Sequence, residues 1–263
     1  MNTHPAESPT FVFVHGFLGF NELRVAFFDI DYFRRLEDQL RQYHVPFIIP
    51  RVPPTGPIEE RAQVLEAELA RHQGDRFVLV GHSMGGLDSR YLIQHLDPAR
   101  RVQRLVTLGT PHRGSALARW LLSGNGWLQR FAQRRWRRTL EELTPEACRV
   151  FNQQVLDRAD VQYLSYAGVR PSAELPFWLR RGARLVTNEE GENDGLVSVS
   201  SARWGRFCGT VRADHFELVG WSLGMPDRKT DRPFPHLDLY RQIITAAQTD
   251  SQTHPLISPE GLS

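Results

Sequence analysis

A serine stands where an apolar run gives way to a helical pattern. Residues 77–80, Phe-Val-Leu-Val, predict a buried strand, and they lead directly into residues 81–85, Gly-His-Ser-Met-Gly. This G-x-S-x-G pattern overlaps apolar residues at helical spacing, at Met84, Leu87 and Tyr91. A strand that turns sharply into a helix exposes the serine hydroxyl at the carboxyl edge of a sheet. We therefore predict that Ser83 is a nucleophile.

A nucleophilic serine also needs hydrogen-bond donors for the oxyanion that its attack creates. The apolar strand predicted at 11–14 ends at residues 15–19, His-Gly-Phe-Leu-Gly. A glycine-bearing loop after an early strand can bring a backbone N–H over the serine, and the residue after the nucleophile supplies the second donor. The sequence thus predicts an oxyanion hole at the backbone of Phe17 and Met84. A plain strand-ending turn is the alternative for 15–19.

The general base is sought among ten histidines. Most of them fall in polar ends, at the ends of predicted helices or in tight turns. His112 precedes every late acidic candidate, and His236 opens the last predicted helix, where capping is the usual role. His215 follows a short apolar strand predicted at 207–211 and lies in a loop, a position that suits a base. We predict that His215 takes the serine proton.

The acid that orients this histidine is predicted at Asp194, after a strand predicted at 183–187. An Asp-Gly pair by itself usually marks only a turn. The position of Asp194, with one predicted strand between it and His215, favours a carboxylate that fixes the imidazole tautomer. Asp214 is the rival acid, although neighbouring side chains on an extended segment point apart. Asp88 lies inside the predicted helix after Ser83, from which it cannot easily reach the histidine.

Several motifs in order resemble the bacterial true lipases of the Pseudomonas and Burkholderia type, within the α/β-hydrolase fold. The matching segments are 15–20 (HGFLGF), 81–86 (GHSMGG), 109–115 (GTPHRGS), 143–146 (LTPE) with 151–153 (FNQ), 193–198 (NDGLVS) and 215–217 (HFE). The resemblance implies a triad of Ser83, Asp194 and His215, an oxyanion hole at Phe17 and Met84, and hydrolysis of carboxylic esters of lipids.

The chain departs from this family at its structural calcium site. Family members have an aspartate two residues after the catalytic histidine, where this chain has Glu217, and Glu174 is only near the second calcium aspartate. The extra methylene of glutamate moves the oxygens further than a rigid site tolerates well. We expect no metal and no other cofactor, and an ion pair between Glu217 and an arginine instead. Cys148 and Cys208 are expected to be free thiols rather than the family disulfide.

Residues 115–143 predict a helical lid over the site. Trp127, Leu128 and Phe131 share one helical face, Trp136 continues it less regularly, and arginines crowd the remainder at 130, 134, 135, 137 and 138. A basic amphipathic helix with tryptophans can lie on an anionic lipid surface. We expect it to cover Ser83 in water and to turn its apolar face outward at lipid. An ordinary helix packed on the core is the alternative.

Length and element order predict the fold class. The 263 residues suffice for one large α/β core, and amphipathic helices predicted at 33–43, 58–69 and 237–247 separate the apolar strands. This alternation predicts a mostly parallel sheet with helices on both faces and a helical lid insertion. We expect a single domain over 10–247, with 115–143 as the lid and flexible ends at 1–9 and 248–263.

The sequence therefore favours a serine hydrolase of lipid esters that makes transient contact with a membrane or lipid interface. A short-chain esterase or thioesterase is the first alternative, and a catalytically silent lipid- or partner-binding scaffold is the second. A net charge of +2 is too small to favour a nucleic-acid partner. No apolar run reaches membrane-spanning length and no signal peptide opens the chain. A cytoplasmic location is expected if the sequence is complete, and secretion if a signal was removed.

Overall fold

A parallel β-sheet organises the computed structural model, which describes residues 8–18, 32–72, 76–222 and 232–249. In this part of the chain six strands lie in the order β2-β1-β3-β4-β5-β6, and every neighbouring pair is parallel. The strands are β1 Thr10–Val14, β2 Phe47–Ile48, β3 Phe77–His82, β4 Val102–Leu108, β5 Gln162–Gly168 and β6 Arg206–Val211. The α/β class with a parallel sheet is thus confirmed.

Helices connect the strands, as parallel pairing requires. Helix α3 begins directly after Ser83 and continues into a π-helical turn over Leu92–Leu96. The helices are α1 Leu36–Gln42, α2 Ile58–Leu69, α3 Met84–Tyr91, α4 Ala116–Ser123, α5 Trp127–Glu142, α6 Pro145–Gln154, α7 Arg180–Glu190, α8 Val199–Ala202 and α9 His236–Gln248. The helices predicted at 58–69 and at the chain's end are α2 and α9.

Alternation along the strands divides the apolar core into two layers. In β1, Phe11 and Phe13 pack with residues of α1 and α9, whereas Val12 and Val14 pack with residues of α2 and of the π-helical turn. Successive side chains of a strand point to opposite faces, so one strand contributes to both layers. Strands buried on both faces are apolar almost throughout, which explains the continuous apolar runs in β1 and β3.

The strand predicted at 183–187 is wrong, because this segment is part of helix α7. Leu179, Ala183 and Val186 are buried at a spacing of three to four residues, which is a helical period. A short apolar run inside an arginine-rich segment does not separate a strand from a helix by itself. The strand that does lie in this region is β5, which the sequence analysis missed. Asp194 therefore follows a helix and its turn rather than a strand.

The predicted lid segment 115–143 contains helices α4 and α5, which pack against each other. Gly19, Phe20 and most of the ends predicted to be flexible lie outside the described residues. Among the helices that are described, none is both long and apolar enough to cross a membrane. The carboxyl ends of β1, β3, β4, β5 and β6 meet at one edge of the sheet, where the predicted site residues follow them.

Candidate active site

Ser83 occupies a strained turn between β3 and α3. Its φ of 54° and ψ of −131° lie in a region that residues with a side chain rarely adopt. The turn is held because the Ser83 N–H donates to Leu108 O at 3.0 Å and Gly86 N–H donates to Ser83 O at 3.1 Å. The hydroxyl group is partly exposed, while the flanking His82 and Met84 are buried. This geometry is the nucleophile elbow that the G-x-S-x-G pattern predicts.

Glycines let the backbone approach closely around this turn. A Cβ atom on Gly85 would lie 2.3 Å from Val14 O, so α3 could not approach β1 with any side chain there. A Cβ atom on Gly16 would lie 2.5 Å from Ser83 Cβ, which brings the loop after β1 directly over the serine. Neither glycine has a positive φ. Close approach, not backbone conformation, requires both of them.

The two predicted oxyanion donors lie on either side of Ser83. Met84 is the first residue of α3, where a backbone N–H has no acceptor within the helix. Phe17 directly follows Gly16, whose α-carbon faces the serine side chain. Within the described residues, neither the Phe17 N–H nor the Met84 N–H donates to a protein acceptor. Both donors are therefore available to an oxygen bound beside the serine.

His215 and Asp194 form a direct hydrogen bond. His215 Nδ1 lies 2.7 Å from Asp194 Oδ2, and both side chains are almost fully buried. The other carboxylate oxygen of Asp194 accepts from Leu196 N–H at 3.0 Å and from Val197 N–H at 2.8 Å. These backbone donors fix the carboxylate, so Nδ1 must carry the proton that faces it. Nε2 of a neutral His215 is then free to accept a proton.

The rival acids Asp214 and Asp88 are bonded to other groups instead of the His215 ring. Asp214 Oδ1 accepts from Phe216 N–H and Glu217 N–H, both at 2.9 Å, so it stabilises its own turn. Burial and the nearby charge of Glu217 raise the pKa of Asp214 to about 7. Asp88 accepts from Arg61 Nε at 2.9 Å in a fully buried ion pair. Burial raises the pKa of Asp88 to about 6, despite that arginine.

A chain of hydrogen bonds connects the loop before Phe17 with the loop of His215. His82 Nε2 lies 3.0 Å from His215 O, a carbonyl oxygen, and therefore donates. Burial, together with the neighbouring His215, holds the pKa of His82 well below its ordinary range, so its Nδ1 is an acceptor. The Tyr32 hydroxyl donates to this Nδ1 at 2.7 Å and accepts from Gly16 N–H at 3.1 Å. The sequence analysis identified no role for Tyr32.

His215 lies beside the residue that precedes the serine. The His215 ring lies 4.6 Å from the ring of His82, the residue before the serine. Among the described residues, no hydrogen bond joins Ser83 Oγ to His215 Nε2. In the absence of substrate this contact is commonly long. The predicted triad residues are thus gathered at one edge of the sheet, with one of the two expected hydrogen bonds formed.

Glu217 forms an ion pair with Arg170, the alternative that the sequence analysis named. The side chains of Glu217 and Arg170 are bonded through Glu217 Oε2, and both are buried. Glu174 pairs with Arg212 at 2.5 Å. In the described part of the chain, no group of three or more His, Cys, Asp or Glu residues could hold a metal ion. Glu217 and Glu174 are thus each paired with an arginine, as the sequence analysis expected for Glu217.

Both cysteines are free. Cys148 is buried in α6, where burial raises the pKa of its thiol to about 12, and Cys208 is partly exposed in β6. A thiol held in its neutral form is a poor nucleophile.

The predicted lid residues divide into an exposed set and an anchored one. Trp127, Leu128 and Phe131 are exposed, with 81% of Trp127 and 54% of Phe131 accessible. Trp136 is partly buried and packs edge-on against Phe17, with ring centroids 5.7 Å apart. The apolar face therefore points outward, the arrangement expected at a lipid surface rather than the one expected in water. The sequence did not indicate the contact between Trp136 and Phe17, the predicted oxyanion residue.

Comparison with known proteins identifies the family of the fold. A family model described as the alpha/beta hydrolase fold matches residues 9–142, about half of the chain. The chain is 30% identical over 216 residues to triacylglycerol lipase 2 of Saccharomyces cerevisiae, covering 76% of this chain and 65% of the yeast protein. It is 28% identical over 124 residues to a triacylglycerol lipase of Burkholderia plantarii, covering 44% of this chain and 33% of that one.

The fold is also similar to that of a solved lipase. The mature lipase BlEst2 of Bacillus licheniformis superimposes with a TM-score of 0.69 at 25% identity, covering 92% of this chain and 94% of that one. The chain spans less than two thirds of the length of the curated yeast and Burkholderia relatives. The similarity to the yeast protein extends well beyond 9–142, over 216 residues.

Proposed function

We propose that this chain, which belongs to the α/β-hydrolase family, hydrolyses carboxylic esters of lipids through an acyl-enzyme on Ser83. The observation that carries the proposal is the buried hydrogen bond between Asp194 and His215 beside a serine in a left-handed turn. A scaffold without activity has no use for a strained serine and an oriented imidazole together.

In the proposed reaction, His215 Nε2 takes the proton of Ser83 Oγ as this oxygen attacks the ester carbonyl carbon. The carbonyl oxygen becomes an oxyanion, which the backbone N–H groups of Phe17 and Met84 stabilise. His215 then gives its proton to the departing alcohol, and the acyl group remains on Ser83. A water molecule activated by the same histidine hydrolyses this ester, and Asp194 stabilises the imidazolium in both halves.

We propose lipid esters as substrates, in the manner of triacylglycerol lipases. The yeast and Burkholderia relatives carry that name, and the match to the latter supports the finer likeness to bacterial true lipases. Exposed aromatic side chains also support it, since Phe177 and Trp178 add a second apolar patch that the sequence analysis missed. Trp178 packs against Phe216, next to His215, with ring centroids 5.7 Å apart. No metal or other cofactor takes part in the proposed reaction.

We further propose that the α4–α5 hairpin is a lid that meets a lipid interface. Helix α5 has a kink at Trp136, whose φ of −133° is not helical. Beyond the kink, Thr139 and Glu142 accept from the backbone N–H of Gly56 and Ile58, so this end is anchored before α2. Before the kink, side-chain amides at 129 and 133 donate to carbonyls of 120–124, which ties the hairpin together. A kink next to the anchored half is a suitable hinge. Helix α4 also packs against α7, where Arg119 pairs with Glu189, so opening at this hinge would have to break that ion pair.

Hydrolysis of p-nitrophenyl esters from acetate to palmitate, with Ser83→Ala as control, tests the activity. Turnover by the wild type and none by the variant is the expected result, and an inactive wild type would contradict the proposal.

Activity on long-chain substrate should rise when the substrate aggregates, and Trp127→Ala with Phe131→Ala should weaken that rise while sparing short esters. Tyr43→Ala, which removes an exposed aromatic ring at the end of α1, is the matched control. Equal losses on both substrates would identify α5 as ordinary core.

A further inference from the structure

Arg170 lies between the turn of Asp194 and the turn of His215. It follows β5 at the carboxyl edge of the sheet and is only 4% exposed. Its backbone N–H donates to Asn193 O at 3.0 Å, in the turn that carries Asp194. Its guanidinium bonds to Glu217, two residues after His215. One buried residue is therefore bonded to both turns.

The carboxylate of Glu217 connects Arg170 to the backbone of the turn that carries His215. The oxygen that Arg170 contacts, Oε2, also accepts from Asp214 N–H at 2.8 Å, and Asp214 Oδ1 accepts from Glu217 N–H at 2.9 Å. Reciprocal side-chain-to-backbone hydrogen bonds between Asp214 and Glu217 thus hold the turn that contains His215. A guanidinium that orients Oε2 sets the position of this turn relative to Asn193.

Several buried or partly buried carboxyl groups surround Arg170. Asp194, Asp214 and Glu217 are all buried, and the partly buried Glu174 lies 3.7 Å from Arg170 Nη1. Without the guanidinium, Glu217 would be a buried and unpaired charge, which a fold does not tolerate in place. The turn would have to move to reach water or another cation.

We propose that Arg170 is a positioning residue, which sets the distance between Asp194 and His215 through Glu217. This inference rests on the proposed function, in which that pair prepares the imidazole to take the Ser83 proton. This positioning role can be distinguished from a contribution to the stability of the fold. Replacing a buried ion pair by apolar residues of similar size is often neutral or stabilising for the fold. Stability and positioning can therefore be separated by experiment.

The double variant Arg170→Met with Glu217→Met makes this separation. It removes both charges and keeps the volume, so its melting temperature should fall much less than that of Arg170→Met alone, which leaves Glu217 buried and unpaired. It also removes the acceptor for Asp214 N–H, so the turn should lose its position. We expect kcat on a short ester to fall about 10²-fold with little change in KM, because misplacement by about 1 Å costs this much.

Two control variants accompany the double variant. One replaces another buried arginine, and the other is a conservative substitution of Arg170. Arg90→Gln removes another buried arginine, which stacks on Trp204 at 3.7 Å and donates to Asn152, away from the two turns. It should lower the melting temperature and leave kcat unchanged. Arg170→Lys retains the charge without the planar fork and should recover part of the lost kcat.

A second readout does not depend on activity. The His215 Nδ1 proton, bonded to Asp194, should give a far-downfield NMR resonance in the wild type. This resonance should move upfield or exchange faster in the double variant and stay in place in Arg90→Gln. A double variant with wild-type kcat and an unmoved resonance would overturn the proposal. A wild type that hydrolyses no ester would refute the proposed function alone, since the resonance still tests the positioning role.

Discussion

The carboxylate of Asp194 is held from two sides, which determines what an amide would do in its place. Oδ2 faces His215 Nδ1, while Oδ1 accepts from two backbone N–H groups at 3.0 and 2.8 Å. In Asp194→Asn the amide oxygen must stay with these two donors, because the reverse orientation would set NH₂ against N–H. The NH₂ group then faces Nδ1, so Nδ1 must be the acceptor and Nε2 must carry the proton.

An imidazole with its proton on Nε2 cannot take the proton of Ser83. The equivalent change in a serine protease lowers kcat about 10⁴-fold, which corresponds to about 5 kcal/mol in the activation barrier. The backbone hydrogen bonds of Asp194 survive in the variant, so its melting temperature should remain close to that of the wild type. Steady-state hydrolysis of p-nitrophenyl butyrate and a thermal melt by circular dichroism measure the two quantities.

Retention of most of the wild-type kcat by a normally folded Asp194→Asn would refute this reasoning. It would mean that the tautomer of His215 is set by another group, and Asp214 would become the candidate. Loss of activity together with a large fall in melting temperature would also count against the argument, because the variant would then have lost the turn rather than the tautomer.

Three further predictions concern packing, pH and metal. Gly85→Ala should lower the free energy of unfolding by about 1–3 kcal/mol or more and reduce activity, because its Cβ would lie 2.3 Å from Val14 O. Gly182→Ala in α7, the control, should fold normally. Folded Asp214, with its pKa raised to about 7, keeps a proton that the unfolded chain releases near pH 4. The stability that Asp214 contributes should therefore fall from pH 4 to 7, so the melting temperature of Asp214→Asn should rise relative to that of the wild type across this range. EDTA should change neither melting nor activity, because Arg170 neutralises Glu217; a loss that calcium reverses would contradict this.

Local patterns were enough to predict the turn at Ser83 and the strands β1, β3 and β6. In β3 an apolar run, a glycine turn and a helical period follow one another within a few residues, so every signal is close in sequence. The segment 183–187 gave the opposite result, because its few apolar residues fit a strand and a helix equally well. Asp194 nevertheless lies beside His215, because its prediction depended on chain order, with one strand between Asp194 and His215, as well as on the element before it.

The contacts whose partner residues the sequence did not identify join positions far apart in the chain. Arg170 and Glu217 are 47 residues apart, and Tyr32 and His82 are 50 apart. No spacing rule connects such pairs, because the crossover connections of the sheet bring them together. The kink at Trp136 likewise coincides with a contact to Phe17, which lies in the first loop after β1. Tertiary packing, not local propensity, determines these features.

The most direct test of the central claim is to find which residue a fluorophosphonate probe labels. The probe reacts with a serine that a neighbouring base activates, and peptide mass spectrometry locates the adduct. We predict one stoichiometric adduct on Ser83, none in folded Ser83→Ala, and slow labelling in Asp194→Asn. An adduct on another residue, or hydrolytic activity that remains in Ser83→Ala, would contradict the claim that Ser83 is the nucleophile.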